Sequence, residues 1–297
     1  MSLDYSKAET AINVHIGDPL NLDIIRAAWG IHEIINEDVA RAFRVHASER
    51  AFDYRSASMV AFGGSGPMHA GRIARKLRVP EVILPFGAGV ISSLGLVISP
   101  LSFEVVQSRR RTLSSLDDTE FKNTFQPLIA EIFNLLNHSG ISDDEINLHR
   151  KLDMRYEGQG YDIEVPIPES ALVAEIPELF ELIYKSLFSS ITLEEHIQIV
   201  NWKVEGQGPP PTDITEFKYS GLQTGKEALK GHRPAYFTEL GEFIDCPVYD
   251  RYSLHPGVHI EGPALVEERE STSVIGVNDS FKVDRNYNIN IEVQVED

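Results

Sequence analysis

The sequence predicts an α/β segment to about residue 105, followed over 106–297 by a mixed α+β segment that is helical first and then β-rich. Three observations carry this. A strand–glycine turn–helix–strand pattern occupies residues 57–84. A long amphipathic helical pattern covers 117–138. From residue 233 onward, short apolar runs alternate with Gly, Pro and Asn turns.

Residues 18–50 read as helix, with Ile24, Ile25, Ala28, Ile31, Ile34, Ile35 and Val39 at three- and four-residue spacing. Asp18 or Asn21 is placed to cap it, and Gly30 and Asn36 weaken its middle, which leaves one helix or two open. Residues 57–62 read as a short buried strand. Gly63-Gly64-Ser65-Gly66 forms a turn, and Pro67 opens a helix to about Arg78, since proline is pre-organised for the first helical position. Residues 81–84 are the next strand. The stretch 82–103 carries no charge, which raises the question of a membrane span. Pro85, Gly87, Gly89, Gly95 and Pro100 break it, so it reads as a buried strand, a glycine-rich loop and a second buried element.

In the second segment, Phe121, Phe125, Leu128, Ile129, Ile132, Leu135 and Leu136 lie on one side of the 117–138 helix. Residues 146–156 and 160–167 alternate as strands about a turn at 157–160. A helix is expected at 174–189 and a strand at 196–205. Residues 206–211 break it, and 212–230 read as a polar loop. Short strands follow at 235–239, 246–250, 264–268, 273–275, 281–283 and 289–293.

Composition excludes several classes of function. The 297 residues are 42% hydrophobic, as in a globular protein. Lys and Arg number 27 against 45 Asp and Glu, a net charge of −18. Such a chain has no footprint for nucleic acid and none for anionic lipid. Cys246 is the single cysteine, so neither an intrachain disulfide nor a cysteine-based zinc site is available. The start, MSLDYSKAET, has no basic and apolar leader pattern.

The glycine turn is the most informative motif. Successive glycines after a strand let a backbone approach a ligand, and the helix start offers free N–H groups suited to a phosphate or nucleotide. Tight strand–helix packing is the alternative, and the residues alone leave both open. No Gly-Lys-Ser/Thr follows, so it is not a Walker loop, and Gly71 stands where the dinucleotide fingerprint does not want it. Ser65 has Gly63 two before it but Pro67 two after, and Ser93 has Gly95 but Ile91, so neither stands in the Gly-x-Ser-x-Gly of a nucleophile elbow. His32-Glu33 and Glu195-His196 lack helical-spacing partners, so no metal ligands are assigned. His69 follows the turn and could face a ligand or simply pack. No catalytic residue can be chosen among so many carboxylates.

At this point the motifs converge. FGGSGPMHAGRIARKL, VILPFGAGVISSLGLV, RYEGQGYDIEVPIP, HIQIVNWKVEGQG, CPVYDRYSLHPG and IEGPALVEERESTSV, in this order, resemble the hydantoinase A/oxoprolinase family over roughly residues 20–295. The resemblance implies cytoplasmic, ATP-dependent enzymes that open hydantoins or 5-oxoproline, or that carboxylate ketones. It implies an ATPase core like that of actin and the sugar kinases, with ATP phosphorylating a carbonyl or amide oxygen. Gly63, Gly64, Ser65 and Gly66 match the glycine-rich segment expected beside the nucleotide. Expected partners are a small cyclic amide, a B-type subunit and further copies of the chain. Tyr156, Gln159, Glu267 and Ser271 lie in family-like blocks with no assigned role. The departure is equally informative. The family's two Asp-x-Gly-Gly-Thr loops, which hold phosphates and magnesium, do not occur here. The chain therefore resembles the C-terminal portion of the enzyme and is expected to be inactive alone, ATP and Mg being held mainly by the absent part. The alternatives are a non-catalytic assembly module or a β-type subunit of a ketone carboxylase.

Overall fold

The computed structural model describes residues 4–50, 52–188, 196–211, 222, 225 and 227–295. The expected 212–230 loop lies largely outside the described residues. In chain order the first elements are α1 (Tyr5–Ile12), a π-helical turn (Asn13–Gly17), α2 (Asp18–Leu20), α3 (Ile24–Glu49), β1 (Ser58–Val60), α4 (Gly66–Leu77), β2 (Glu81–Leu84) and α5 (Ile91–Ile98). Next come β3 (Ser102–Thr112), α6 (Asp118–His138), β4 (Asn147–Tyr156), β5 (Ile163–Ile167), α7 (Ile176–Leu187) and β6 (Ile197–Gln207). The chain ends with β7 (Leu229–Phe237), β8 (Glu242–Asp250), β9 (His259–Glu261), β10 (Ala264–Glu267), β11 (Thr272–Ile275), β12 (Ser280–Val283) and β13 (Ile289–Glu292). Among the described residues this is a mixed α/β fold with three sheets.

The elements group into two compact units. One comprises Met1–Ser93 with Lys218–Asp297, the other Leu94–Phe217. A boundary expected at 105 falls inside β3, and the last eighty residues pack with the first ninety rather than with their sequence neighbours.

In the first unit, β1, α4 and β2 form a parallel crossover. The sheet continues β1-β2-β13-β12-β9, with Val82 opposite Ile291 and Leu84 opposite Ile289. Period-two alternation puts Val82, Leu84, Phe281, Val283, Ile289 and Ile291 on the buried face. Helix α4 covers them with Ala70, Ala74 and Leu77, one stripe at three- and four-residue spacing. Arg78, at φ +57°, ends the helix in a left-handed cap. A second sheet, β11-β10-β8-β7, adjoins α4 through β11. Cys246 is fully buried in β8.

Several expectations need correction here. Helix α3 runs unbroken for 26 residues, through Gly30 and Asn36. Its cap is Asp23, whose carboxylate accepts the Arg26 N–H at 2.9 Å, whereas Asn21 sits at φ +55° as the end of α2. β1 is not buried: it pairs only with β2 among the described strands, and Val60 is exposed. The element after the glycine loop, α5, has no buried residue. No described helix is long and apolar enough to cross a membrane.

The second unit is an antiparallel sheet, β3-β6-β4-β5, with α6 and α7 packed on it. Its core gathers Phe121, Phe125, Ile132 and Leu136 from α6, Phe180 from α7, and Leu152, Met154, Val165, Ile199, Trp202 and Val204 from the strands. The opposite residues carry ions: Lys151 pairs with Glu205 at 2.8 Å, and Lys203 with Asp153 at 2.8 Å and Glu164 at 3.0 Å. The expected strand 196–205 extends to Gln207 because Gly206 is part of it. A Cβ at Gly206 would collide with Ile132 and come within 3.0 Å of Leu136. Glycine thus lets α6 lie close against β6. Gly206→Ala should destabilise this unit by about 1–3 kcal/mol through overpacking. Denaturant unfolding measures it, and a change within experimental error would show that α6 can retreat at no cost.

Candidate functional site

The turn from Gly63 to Gly66 joins β1 to α4, as the sequence reading requires. Gly63 has φ +89°, where a side chain would be strained. Its N–H donates to the Ala88 carbonyl at 2.8 Å, tying the turn to the second glycine loop, 85–90. A Cβ on Gly63 or Gly66 would meet nothing within 4 Å, and one on Gly64 would meet only the Glu270 carbonyl, at 3.5 Å. Ser65 is the residue before α4, and its carbonyl accepts the Met68 N–H at 3.1 Å. The N–H groups of Gly64, Ser65 and Gly66 make no hydrogen bond among the described residues. Gly64, Ser65 and Gly66 therefore present bare amides at the positive end of a twelve-residue helix, with Gly63 tied back to the second glycine loop.

One turn closes behind both glycine loops. A Cβ on Gly89 would lie 2.7 Å from the Glu270 Cβ, so this loop needs glycine for close packing. Glu270 belongs to the β10–β11 turn, where the Glu268 N–H donates to the Ser271 carbonyl at 2.9 Å. Glu268 reaches inward to Arg251, at 3.1 Å, and both side chains are buried. The same guanidinium donates to the Tyr287 carbonyl and lies 5.4 Å from the Phe86 ring centre. Burial pulls the Arg251 guanidinium below its usual pKa, with Glu268 pulling it back up. The sequence singled out Glu267 and Ser271 here. Glu267 instead pairs at the surface with Lys230 and, at 2.9 Å, with Arg233. Its neighbour Glu268, just past the end of β10, is the buried carboxylate.

Tyr156 and Gln159 belong to the other unit and serve its core. Tyr156 is buried, and Gln159 donates to the Tyr184 hydroxyl at 2.8 Å. His69 is a packing and network residue: its Nδ1 lies 2.8 Å from Oδ1 of the fully buried Asn36, and its ring stacks on His32 at 4.8 Å. Burial, then the proximity of His69 and Arg72, holds the His32 imidazole below its usual pKa, with Glu33 opposing. Among the described residues no three His, Cys, Asp or Glu side chains converge to hold a metal ion.

The first unit also holds a pocket of about 330 Å³ between α3, α4 and the β7–β8 hairpin. Trp29, Arg72, Tyr236 and Phe243 line it. Sequence reasoning missed it because its walls come from segments some two hundred residues apart.

The hydantoinase/oxoprolinase family model matches residues 1–105, and the hydantoinase/oxoprolinase C-terminal domain model matches 112–292. An uncharacterized protein of Methanocaldococcus jannaschii is 31% identical over 278 residues, covering 94% of this chain and 39% of its own. The acetophenone carboxylase gamma subunit of Aromatoleum aromaticum is 27% identical, over 96% of this chain and 40% of its own. The caprolactamase subunit alpha of Pseudomonas jessenii is 25% identical over 92% of this chain and 40% of its own. The crystal structure of that ATP-dependent caprolactamase shares the fold, with a TM-score of 0.74 over 98% of this chain and 43% of the other, at 24% identity. The chain spans about 40% of the length of these curated relatives. With both family models matched in order along nearly its whole length, the chain belongs to the hydantoinase/oxoprolinase family.

Proposed function

We propose that this chain is the C-terminal portion of an ATP-dependent enzyme that opens a cyclic amide of the hydantoin or 5-oxoproline type. The observation that carries the reading is the open turn Gly63-Gly64-Ser65-Gly66 within a chain of this family. We read residues 1–105 as the tail of an actin- and sugar-kinase-like ATPase core and 106–297 as the family's C-terminal domain.

The residues fit a nucleotide in one respect. Free amides at the start of α4 can donate hydrogen bonds to an electron-rich group, and no side chain stands in front of them. They do not fit the magnesium, for which the described residues offer no cluster; Mg and the phosphates would be held by Asp-x-Gly-Gly-Thr loops on another segment. When bound, ATP would supply the phosphoryl group that activates the amide carbonyl oxygen. This chain's part is to hold the nucleotide's position, with the 268–271 turn and the 85–90 loop fixing the backbone from behind. Phosphoryl transfer depends on positioning and charge stabilisation, so the chain alone is expected to show no ATP hydrolysis. The partners inferred are a cyclic amide, a B-type subunit and further copies of the chain, acting in the cytoplasm. The alternative, a β-type subunit of a ketone carboxylase or an assembly module, draws support from the similarity to an acetophenone carboxylase subunit.

Gly64→Val tests the nucleotide reading. The contact at 3.5 Å leaves room for the fold, while the side chain would occupy the space before the amides. In the chain joined to a polypeptide carrying the Asp-x-Gly-Gly-Thr loops, nucleotide affinity should fall by at least about tenfold, roughly 1.4 kcal/mol. Titration calorimetry with ATP reads this directly. Unchanged affinity would reduce the turn to a packing device. Thermal-shift measurements with hydantoin, 5-oxoproline, caprolactam and acetophenone on the same assembly would separate the substrate classes, because a ligand raises apparent stability by mass action.

A further inference from the structure

The pocket between α3, α4 and the β7–β8 hairpin lies apart from the glycine turn, along the flank of α4 from Met68 to Arg75. Its walls form an aromatic run. The Trp29 ring lies 5.9 Å from Tyr236, and Tyr236 lies 5.5 Å from Phe243, both edge to face. Such contacts hold the rings in fixed orientations. Phe243 and Met68 remain largely exposed at the mouth, an apolar rim that water alone does not favour.

The charged lining decides what could enter. Arg72 and Arg75 face Glu239 and Asp279, two positive groups against two negative. All four are spent on one another. Arg72 pairs with Glu239, and with Glu33 at 3.4 Å behind the wall. Arg75 pairs with Glu239 at 2.9 Å and with the buried Asp279 at 2.8 Å. The face of Arg72 is also covered, lying 4.6 Å from the Trp29 ring centre. Among the described residues an incoming phosphate or carboxylate would find no free cation and would have to break an existing pair. A cation would meet carboxylates already paired with arginine. What remains is an apolar, flat-walled space with hydrogen-bonding groups at one end, and its volume is at the small end of ligand sites.

We propose that this pocket is a binding site for a small uncharged planar molecule of one or two rings, separate from the nucleotide turn. The proposal does not rest on the nucleotide reading. Its test uses the whole chain and three probes that share a nitrophenyl body: 4-nitroaniline, uncharged; 4-nitrobenzamidine, cationic; and 4-nitrobenzoate, anionic. All quench tryptophan fluorescence. Trp29 lines the pocket, whereas Trp202, the other tryptophan, is fully buried in the second unit. Saturable quenching by 4-nitroaniline is expected, with a dissociation constant below about 1 mM and at least about tenfold weaker binding of 4-nitrobenzoate. Ala28→Phe, which fills the space, and Phe243→Ser, which removes an exposed wall, should each weaken 4-nitroaniline binding about tenfold while thermal unfolding stays within a few degrees. Linear, unsaturable quenching that is equal in both variants would overturn the proposal. So would tighter binding of either charged probe than of 4-nitroaniline. Loss of binding in Phe243→Ser alone would still support the site if Ala28→Phe failed to fold.

Discussion

Trp202→Ala is expected to lower the stability of the second unit by about 3–5 kcal/mol, a large share of what holds any domain together. Trp202 stands in the middle of β6 with no exposed surface. Phe121 and Phe125 of α6 flank it at ring distances of 5.4 and 5.2 Å, and they contact each other at 5.3 Å. Three rings thus form one contact set between helix and sheet, and truncation opens a cavity that none of them can fill alone. A polar loss adds to it. The indole N–H donates at 3.0 Å to the Arg109 carbonyl, at the register shift where β3 bulges against β6. That bulge frees a carbonyl from the ladder, and the indole satisfies it. Trp202→Phe keeps most of the volume and loses the donor, so it should cost about 1–2 kcal/mol. Denaturant unfolding of the whole chain, with hydrogen exchange along β6 to locate the loss, distinguishes the two. A loss below about 1 kcal/mol for the alanine variant would mean that α6 collapses onto the sheet, contrary to the packing described.

What the sequence could and could not announce follows from how far apart the interacting residues lie. Helix α6 and β4 were legible to within a residue, and β5 to within three at its start, since helical spacing of Phe121, Phe125, Leu128 and Ile132 and alternation about 157–160 are local signals. The glycine turn and Pro67 were legible for the same reason: each encodes a backbone property where it stands. β3 was missed because Arg109, Arg110 and Arg111 interrupt its alternation, and the bulge shifts its phase. β9, three residues long, gives too short a pattern to register. The return of β12 and β13 to pair beside β2 depends on register between residues two hundred positions apart, which no window can detect. The pocket suffers most from this. Trp29, Arg72 and Tyr236 each read as ordinary helix or strand residues, and only the fold brings them together.

Arg251 too is held by residues far apart in the sequence, and breaking its pair with Glu268 carries the second large effect. Its guanidinium joins four places in the first unit: the end of β8, Glu268 beyond β10, the Tyr287 carbonyl between β12 and β13, and the Phe86 ring of the 85–90 loop. Desolvating such a pair is expensive, so it is weak evidence of net stabilisation, but breaking it from one side leaves a buried charge uncompensated. Glu268→Ala should therefore cost about 3–5 kcal/mol, made worse because Arg251 Nη1 already lacks a partner among the described residues. The double variant Arg251→Met with Glu268→Leu should recover much of that loss, since it removes both charges and keeps apolar volume. The position of Glu268 gives the variant a second readout. Its turn backs Gly64 and Gly89 through Glu270, so relaxing it should loosen the glycine turn even where the unit still folds. Faster hydrogen exchange at the amides of 63–66 and 87–89 is the expected signature, alongside the drop in unfolding free energy. If the charge-free double variant matched the parent in stability and in exchange at the turn, the pair would be replaceable by packing. If Glu268→Ala alone cost less than about 1 kcal/mol, Arg251 would have to find water or another acceptor, and the turn would not depend on the pair for its shape.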